Sequence, residues 1–338
     1  MGMIARPYVI VSGPTSANLV PFWGSDLLSV SITDQAGYES DEAVLTFKAP
    51  PFSPPPKGTR YSIKAGFLPG PAADFGSFTV SRTAFGGSAE DGETMEVHCR
   101  AADFIDKMKA SGSKHYDPEN GFGTAGKIFE SLAAEAGVSA LVSPAIASIE
   151  IPYRLRLNQS LLDFATELAD EIGAVVKPQA GKLVVLERGK AQSGSGKDLQ
   201  PILIDRRRVY GWDVDIEERP AHEKTETSWY DPQKGRVGRE NQSFGEKGGP
   251  FSALHLTPSQ AEAKKTAATM ATALTRWSGT GSFEMRGNPA AVAGAPVTLT
   301  GFGAAIGAVQ WVAGSVSHTI DPEGGGWVTT VEVETRDA

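Results

Sequence analysis

From Thr257 to Glu334 the chain runs a helix directly onto paired strand segments, and few folds accommodate that order. Thr257-Pro258-Ser259-Gln260 has the chemistry of a helix start. Thr257 can cap, Pro258 fits the first helical position, where its missing N–H costs nothing, and Gln260 completes a capping box. Six alanines between Ala261 and Ala273 leave a side smooth enough for close packing on a sheet, and Trp277 to Gly281 ends a capped helix over 257–277. The turn AAVAGAPVTLTGFG follows. Strands are expected at Ser282–Arg286, Pro296–Thr300, Trp311–Ile320 and Trp327–Glu334, on a period-two alternation. None of these residues forms a catalytic constellation.

The first hundred residues also read as β. Leu28, Val30 and Ile32 alternate with Ser29, Ser31 and Thr33, and after the turn DQAGYESD the pattern resumes at Ala43, Leu45 and Phe47. Further strands are expected at Tyr61 to Phe67, Ser77 to Arg82 and Thr94 to Arg100. Proline and glycine clusters between them, PPFSPPPKG and LPGPAADFG, remove backbone donors and force turns. Short strands at this spacing suggest a barrel or sandwich. The amino terminus, broken by Pro7 and Pro14, reads as a first strand and not as a signal peptide.

Residues 101–188 change period. Thr124 is placed to cap a helix bearing Ile128, Leu132 and Ala136, and Gly137 to end it. Ser160 caps a second, with Leu161, Phe164, Ala165, Leu168 and Ile172 on one side and Gly173 as its stop. Two apolar segments around Pro-Gln-Ala-Gly then form a hairpin. The expectation is a mainly β chain with an α+β insert: a first β-barrel-like domain over 1–100, an inserted α/β module over 101–188, a linker over 189–201, and a second β-barrel-like domain over 202–338. Within the last, Trp212, Val214 and Ile216 alternate with acidic residues, Lys224–Tyr230 forms a strand, and 238–254 is read as an exposed loop. No tandem repeat is evident.

Chemistry is mostly absent from the sequence. There is no G-x-S-x-G elbow, no HExxH pair and no Walker A loop, and GFGTAG at 121–126 does not follow a strand. Cys99 is the single cysteine, which excludes an intrachain disulfide and a multi-cysteine metal site; its place in an alternating segment points it into a core. The five histidines share no ligand spacing, and His318, between Val316 and Ile320, reads as a satisfied, partly buried histidine. No cofactor or metal is expected, and no apolar run is long enough for a transmembrane helix. A net charge of −8 argues against a dedicated nucleic-acid binder, though an acidic wall would let DNA pass without sticking. The one dense basic cluster, Arg206, Arg207 and Arg208 after Asp205, is either a solvated turn or a contact with an acidic neighbouring subunit, since arginine forks pair well with carboxylates.

Read together, several segments resemble one family. LLSVSITDQAGYESDEAVLTF, with Asp34 and Asp41 bracketing an aromatic turn, resembles the opening motif of the phage late control gene D proteins. GSFTVSRTAFGG and MEVHCRAADFIDKMK resemble their next strands and helix, and NQSLLDFATELADEIGAVVKPQAGKLVVLE the helix and hairpin shared with the hub part of type VI secretion spike proteins. The C-terminal helix-and-strand stretch, containing Gly294, Trp311 and His318, completes a collinear set over nearly the whole chain. The resemblance implies a non-enzymatic baseplate hub: a homotrimer with two related barrels per chain, forming a pseudo-sixfold adaptor between a hexameric tail tube and a trimeric spike. It further implies a channel for tape-measure protein or DNA, synthesis in the host cytoplasm and a place in the virion tail or baseplate. A receptor- or glycan-binding tail-tip protein is the alternative, and a cell-wall hydrolase a weaker one supported only by abundant carboxylates.

Overall fold

The structure, a computed structural model, describes residues 6–36, 40–49, 53–88, 92–101, 105–179, 182–188, 191–192, 197–217, 222–232, 234–244, 248–275, 278–324 and 326–335. Strands account for 57% and helices for 20%, so the chain is mainly β as expected. The middle of the DQAGYESD turn, residues 189–190 and 193–196 of the linker, and Trp277 lie outside the described residues.

Six strands come from the first region: β1 (Arg6–Ser12), β2 (Leu27–Gln35), β3 (Glu42–Lys48), β4 (Arg60–Leu68), β5 (Ala72–Ser88) and β6 (Gly92–Arg100). Their inward residues, among them Val11, Val30, Leu45, Ile63, Phe78 and Val97, form one apolar core. Leu28 was the expected inward residue at the start of β2, but Leu27 is buried in its place. The β2–β3 ladder slips between Leu27 and Ser29, and a bulge moves the alternation by one residue. Cys99 is buried, and burial pushes its thiol up to about 12, so it packs as a small hydrophobe.

The insert carries β7 (Ser111–Tyr116), β8 (Ser139–Val142), β9 (Arg154–Ser160), β10 (Ala174–Gln179) and β11 (Lys182–Glu187), with helices Ala125–Glu135 and Leu161–Glu171. β10, β11 and β8 form a three-stranded sheet, and β7 pairs β9. The helices bury Ile128, Leu132, Phe164 and Leu168 in a separate core with Val176 and Leu183. Ser160 Oγ accepts the Asp163 N–H at 3.0 Å, the expected cap. Thr124 holds the extended capping backbone but makes no such bond. Gly173, at φ +71°, ends the second helix in the left-handed turn that glycine adopts without cost.

The third region supplies β12 (Ile202–Asp205), β13 (Val209–Glu217), β14 (His222–Asp231), β15 (Arg236–Ser243), β16 (Gly249–Thr257), β17 (Ser278–Arg286), β18 (Pro296–Thr300), β19 (Trp311–Asp321) and β20 (Gly326–Thr335). β14, flanked by β15 and β16, forms a small sheet under the helix Gln260–Thr275. Ala263, Ala267 and Ala271 of that helix are buried, and the Thr225 and Thr227 hydroxyls donate to the Ala267 and Ala263 carbonyls at 2.7 and 2.6 Å. Two expectations are corrected here. Most of 238–254 is strand and not loop; these flanking strands are exposed along most of their length, with no buried face, so the alternation that marks a half-buried strand is missing. The helix begins at Gln260, with Ser259 Oγ accepting the Glu262 N–H at 3.3 Å. Thr257 is the last residue of β16, and its hydroxyl donates to Ser228 O; Gln260 reaches Glu240, so no capping box forms.

The remaining strands of the first and third regions belong to one twelve-stranded sheet, six from each. Its path is β1-β4-β5-β6-β3-β2-β19-β20-β17-β13, with β12 and β18 attached through β19. The two β-regions are thus joined edge to edge by an antiparallel β2–β19 ladder from Ser315↔Gln35 to Ile320↔Val30. Among the described residues the ladder does not close on itself. The β19–β20 hairpin reaches both cores: Trp311, Val316, Val331 and Val333 pack in that of the third region, Ile320 and Trp327 in that of the first.

Candidate functional site: a charged seam and an open sheet edge

Asp34, near the end of β2, stands where the three regions meet. Its Oδ1 accepts from Lys177 Nζ of the insert strand β10 at 2.7 Å, and its Oδ2 from the Ala293 N–H of the third region at 2.8 Å. Asp41 opposes the same ammonium at 3.0 Å, and Lys177 also donates to the Gln35 carbonyl at 2.6 Å. The Gln35 N–H returns to Asp41 Oδ1 at 3.2 Å. The side chains of all three charged residues are at most one-quarter exposed. Burial pushes Asp41 up to about 6, against the pull of Lys177. Burial pulls Lys177 down, but Asp34 and Asp41 override it, and its pKa ends above the ordinary lysine value. The two shifts agree once charges are counted. One ammonium faces two carboxylates, and the surplus negative charge falls on Asp41.

The other motif positions surround this seam or brace the hairpin beside it. Gly294, at φ +81°, donates its N–H to Ala313 O at 2.7 Å, holding the turn that presents Ala293 to Asp34. Trp311 is buried, and its indole N–H donates to Ile306 O at 3.0 Å. His318 is fully buried; its Nδ1 lies 2.9 Å from the Thr329 hydroxyl and 3.3 Å from the Trp327 indole nitrogen. Burial lowers His318 to about 4, so it is a neutral core histidine at ordinary pH. Phe75 and Trp327 pack against its ring, and Trp327 stacks on Phe67, so aromatic side chains of both β-regions interlock across the join.

Sequence reasoning missed Lys177, the cation of the seam, and a second clamp. Arg154 of β9 bonds Glu171 and Glu262, tying the insert to the helix Gln260–Thr275. A lysine or arginine on a strand carries no mark of its partner, so neither was legible. Arg206, Arg207 and Arg208 lie apart from the seam, on an exposed turn between β12 and β13. Arg207 is bound by Asp205, whose carboxyl is held down to about 2 by those hydrogen bonds. The Arg206 guanidinium lies 4.8 Å over the Trp212 ring. β13 pairs only with β17, leaving its outer edge open among the described residues, with Leu203 and Tyr210 exposed beside it. Among the described residues no group of three or more His, Cys, Asp or Glu is arranged to hold a metal, and no helix is long and apolar enough to cross a membrane.

The mainly β body with its α/β insert is a fold found in solved phage tail proteins. Over 97% of this chain and 98% of the other, it matches the 43 kDa tail protein of prophage MuSo2 from Shewanella oneidensis, with a TM-score of 0.63 at 12% identity. An Escherichia coli type VI secretion component described as similar to T4 bacteriophage tail proteins matches over 96% of this chain and 76% of that one, with a TM-score of 0.56 at 8% identity. No family model matches the sequence. The chain is 24% identical over 229 residues to a probable baseplate hub protein of Escherichia phage 186, covering 66% of this chain and 57% of that protein. It is 26% identical over 207 residues to the probable baseplate hub protein of Escherichia phage P2, covering 60% and 51%. These matches take in little more than half the length of those relatives. In sequence the chain is similar to phage baseplate hub proteins, and in fold to phage tail proteins.

Proposed function

We propose that this chain is a structural hub of a phage or phage-derived tail, a trimeric adaptor between a sixfold tail tube and a threefold spike. One observation carries the reading: each chain contains two six-stranded β-regions joined edge to edge. Three such chains in a ring would present six β-regions to a tube on one face while keeping threefold symmetry for a spike on the other. The baseplate hub relatives and the likeness to a type VI secretion component support this place in the particle. On this reading residues 1–100 and 202–338 are the two barrel-like domains and 101–188 an insert outside the ring. The central opening passes tape-measure protein or DNA, and the work is mechanical, with subunit burial as its energy source. Light scattering on the purified protein, alone and mixed with its spike, tests the proposal. A mass of three chains in either condition is expected; a monomer that ignores the spike would refute it.

A further inference from the structure

Among the described residues, two sets of charges near the open β13 edge have no partner of opposite charge. On the basic side, Asp205 neutralises Arg207, but Arg206 and Arg208 bond no carboxylate among the described residues. On the acidic side, the ladder registers place Asp213 across Ser282 from Glu332, and Asp215 across Thr280 from Glu334. All four carboxylates are exposed on the outward side of the sheet, since Phe283 and Val331 of the alternate register are buried in the core and Trp212, level with Phe283, packs on Phe302. Glu332 accepts only a hydroxyl, from Ser315 at 2.7 Å, and none of the four meets a cation among the described residues. The outer edge of β13 carries backbone groups that are unpaired among the described residues, and Leu203 on β12 and Tyr210 on β13 are exposed at 72% and 64%.

We propose that this corner is the contact between copies of the chain: Arg206 and Arg208 of one copy lie against the Asp213, Asp215, Glu332 and Glu334 carboxylates of the next. The proposal rests on the ring reading above and names the surface that would close it. Charge complementarity singles out the occupant. Like sets repel, so two arginine turns cannot meet, nor can two acidic sides; only a head-to-tail contact pairs them, and head-to-tail contacts generate rings when the rotation closes. The open edge adds backbone donors and acceptors and the apolar area that charges alone lack. The Arg206 guanidinium, already stacked on Trp212, is held in place before a partner arrives, which reduces the ordering cost of binding.

Charge reversal tests the contact, because every substituted side chain is exposed and the monomer fold should persist, as circular dichroism would verify. Arg206→Glu with Arg208→Glu, or Asp215→Lys with Glu334→Lys, should each weaken self-association by at least about tenfold. A chain carrying all four reversals should recover it. Added salt should weaken wild type and the fourfold variant alike. If wild type assembles and the reversal variants assemble equally well, this interface is wrong while the ring stands. Wild type that stays monomeric at every concentration, with and without the spike, would overturn both.

Discussion

Replacing Lys177 with methionine tests the seam most directly. The substitution keeps the stem's volume but removes an ammonium that bonds Asp34 Oδ1 at 2.7 Å, Asp41 Oδ1 at 3.0 Å and Gln35 O at 2.6 Å. Two buried carboxylates would then face each other without a cation, and breaking a buried pair in this way costs about 3–5 kcal/mol. The cost must depend on pH. Asp41 has a folded pKa of about 6 against an ordinary 3.8, so it holds its proton more tightly in the folded state. Its contribution to stability is therefore fully present below 3.8 and is lost as pH rises through about 6, by up to about 3 kcal/mol. Without Lys177 the folded pKa rises further, and the loss on ionisation grows. Urea unfolding followed by tryptophan fluorescence suits the measurement, because residues 101–188 contain no tryptophan and the signal reports on the β-regions. Lys177→Met should cost about 3 kcal/mol or more near pH 8 and clearly less near pH 5, and adding Asp41→Asn should restore part of it. A deficit below about 1 kcal/mol near pH 8, or one equal at both values, would refute the charge count at the seam.

Three further outcomes are expected. A Cβ on Gly287 would sit 2.3 Å from the Trp327 ring, which is buried and cannot yield, so Gly287→Ala should lower stability by about 1–3 kcal/mol in thermal unfolding. Arg154→Met would leave the Glu262 carboxylate, 1% exposed, without its cation, costing about 3–5 kcal/mol and loosening the insert against its neighbouring helix, readable by hydrogen exchange over 154–171 and 260–275. His318, with a folded pKa of about 4 against 6.5, has the opposite sign to Asp41: its contribution is present above 6.5 and is lost as pH falls through about 4. The two slopes offset in wild type, so Asp41→Asn should expose a loss of up to about 3 kcal/mol on acidification, seen as a falling urea midpoint.

Much of this was legible where burial is one-sided. Strands with one wet face, such as β3 and β20, wrote their alternation plainly, and Ser160 announced its helix because a cap is a local bond between neighbours in sequence. The reading slipped where the ladder does: at Leu27, where a bulge shifts the register, and over β15 and β16, where neither face is buried enough to demand apolar residues. The site was half visible. Resemblance pointed to Asp34, Asp41 and Gly294, yet their meaning depends on Lys177 of the insert and Ala293 of the third region, distant in sequence and brought to Asp34 only by the fold. Nothing local in Ala174-Val-Val-Lys distinguishes a seam lysine from a solvated one.

That join has consequences for an adaptor. The β19–β20 hairpin cannot leave one core without leaving the other, because Trp311 and Val333 anchor one end while Ile320 and Trp327 anchor the other. The angle between the two β-regions is therefore fixed by a backbone ladder, continued on both sides of the seam by buried side chains. If three chains form a pseudo-sixfold ring, that fixed angle supplies every second step around it. The steps between are set by whatever joins one chain to the next, and on our proposal those are exposed charges and a strand edge. An even ring requires the two kinds of joint to match. Mutations within the seam should then disturb stability first and assembly only as a consequence, whereas mutations at the β12–β13 corner should spare the monomer and alter the ring alone. Measuring both properties on the same variants separates the two joints.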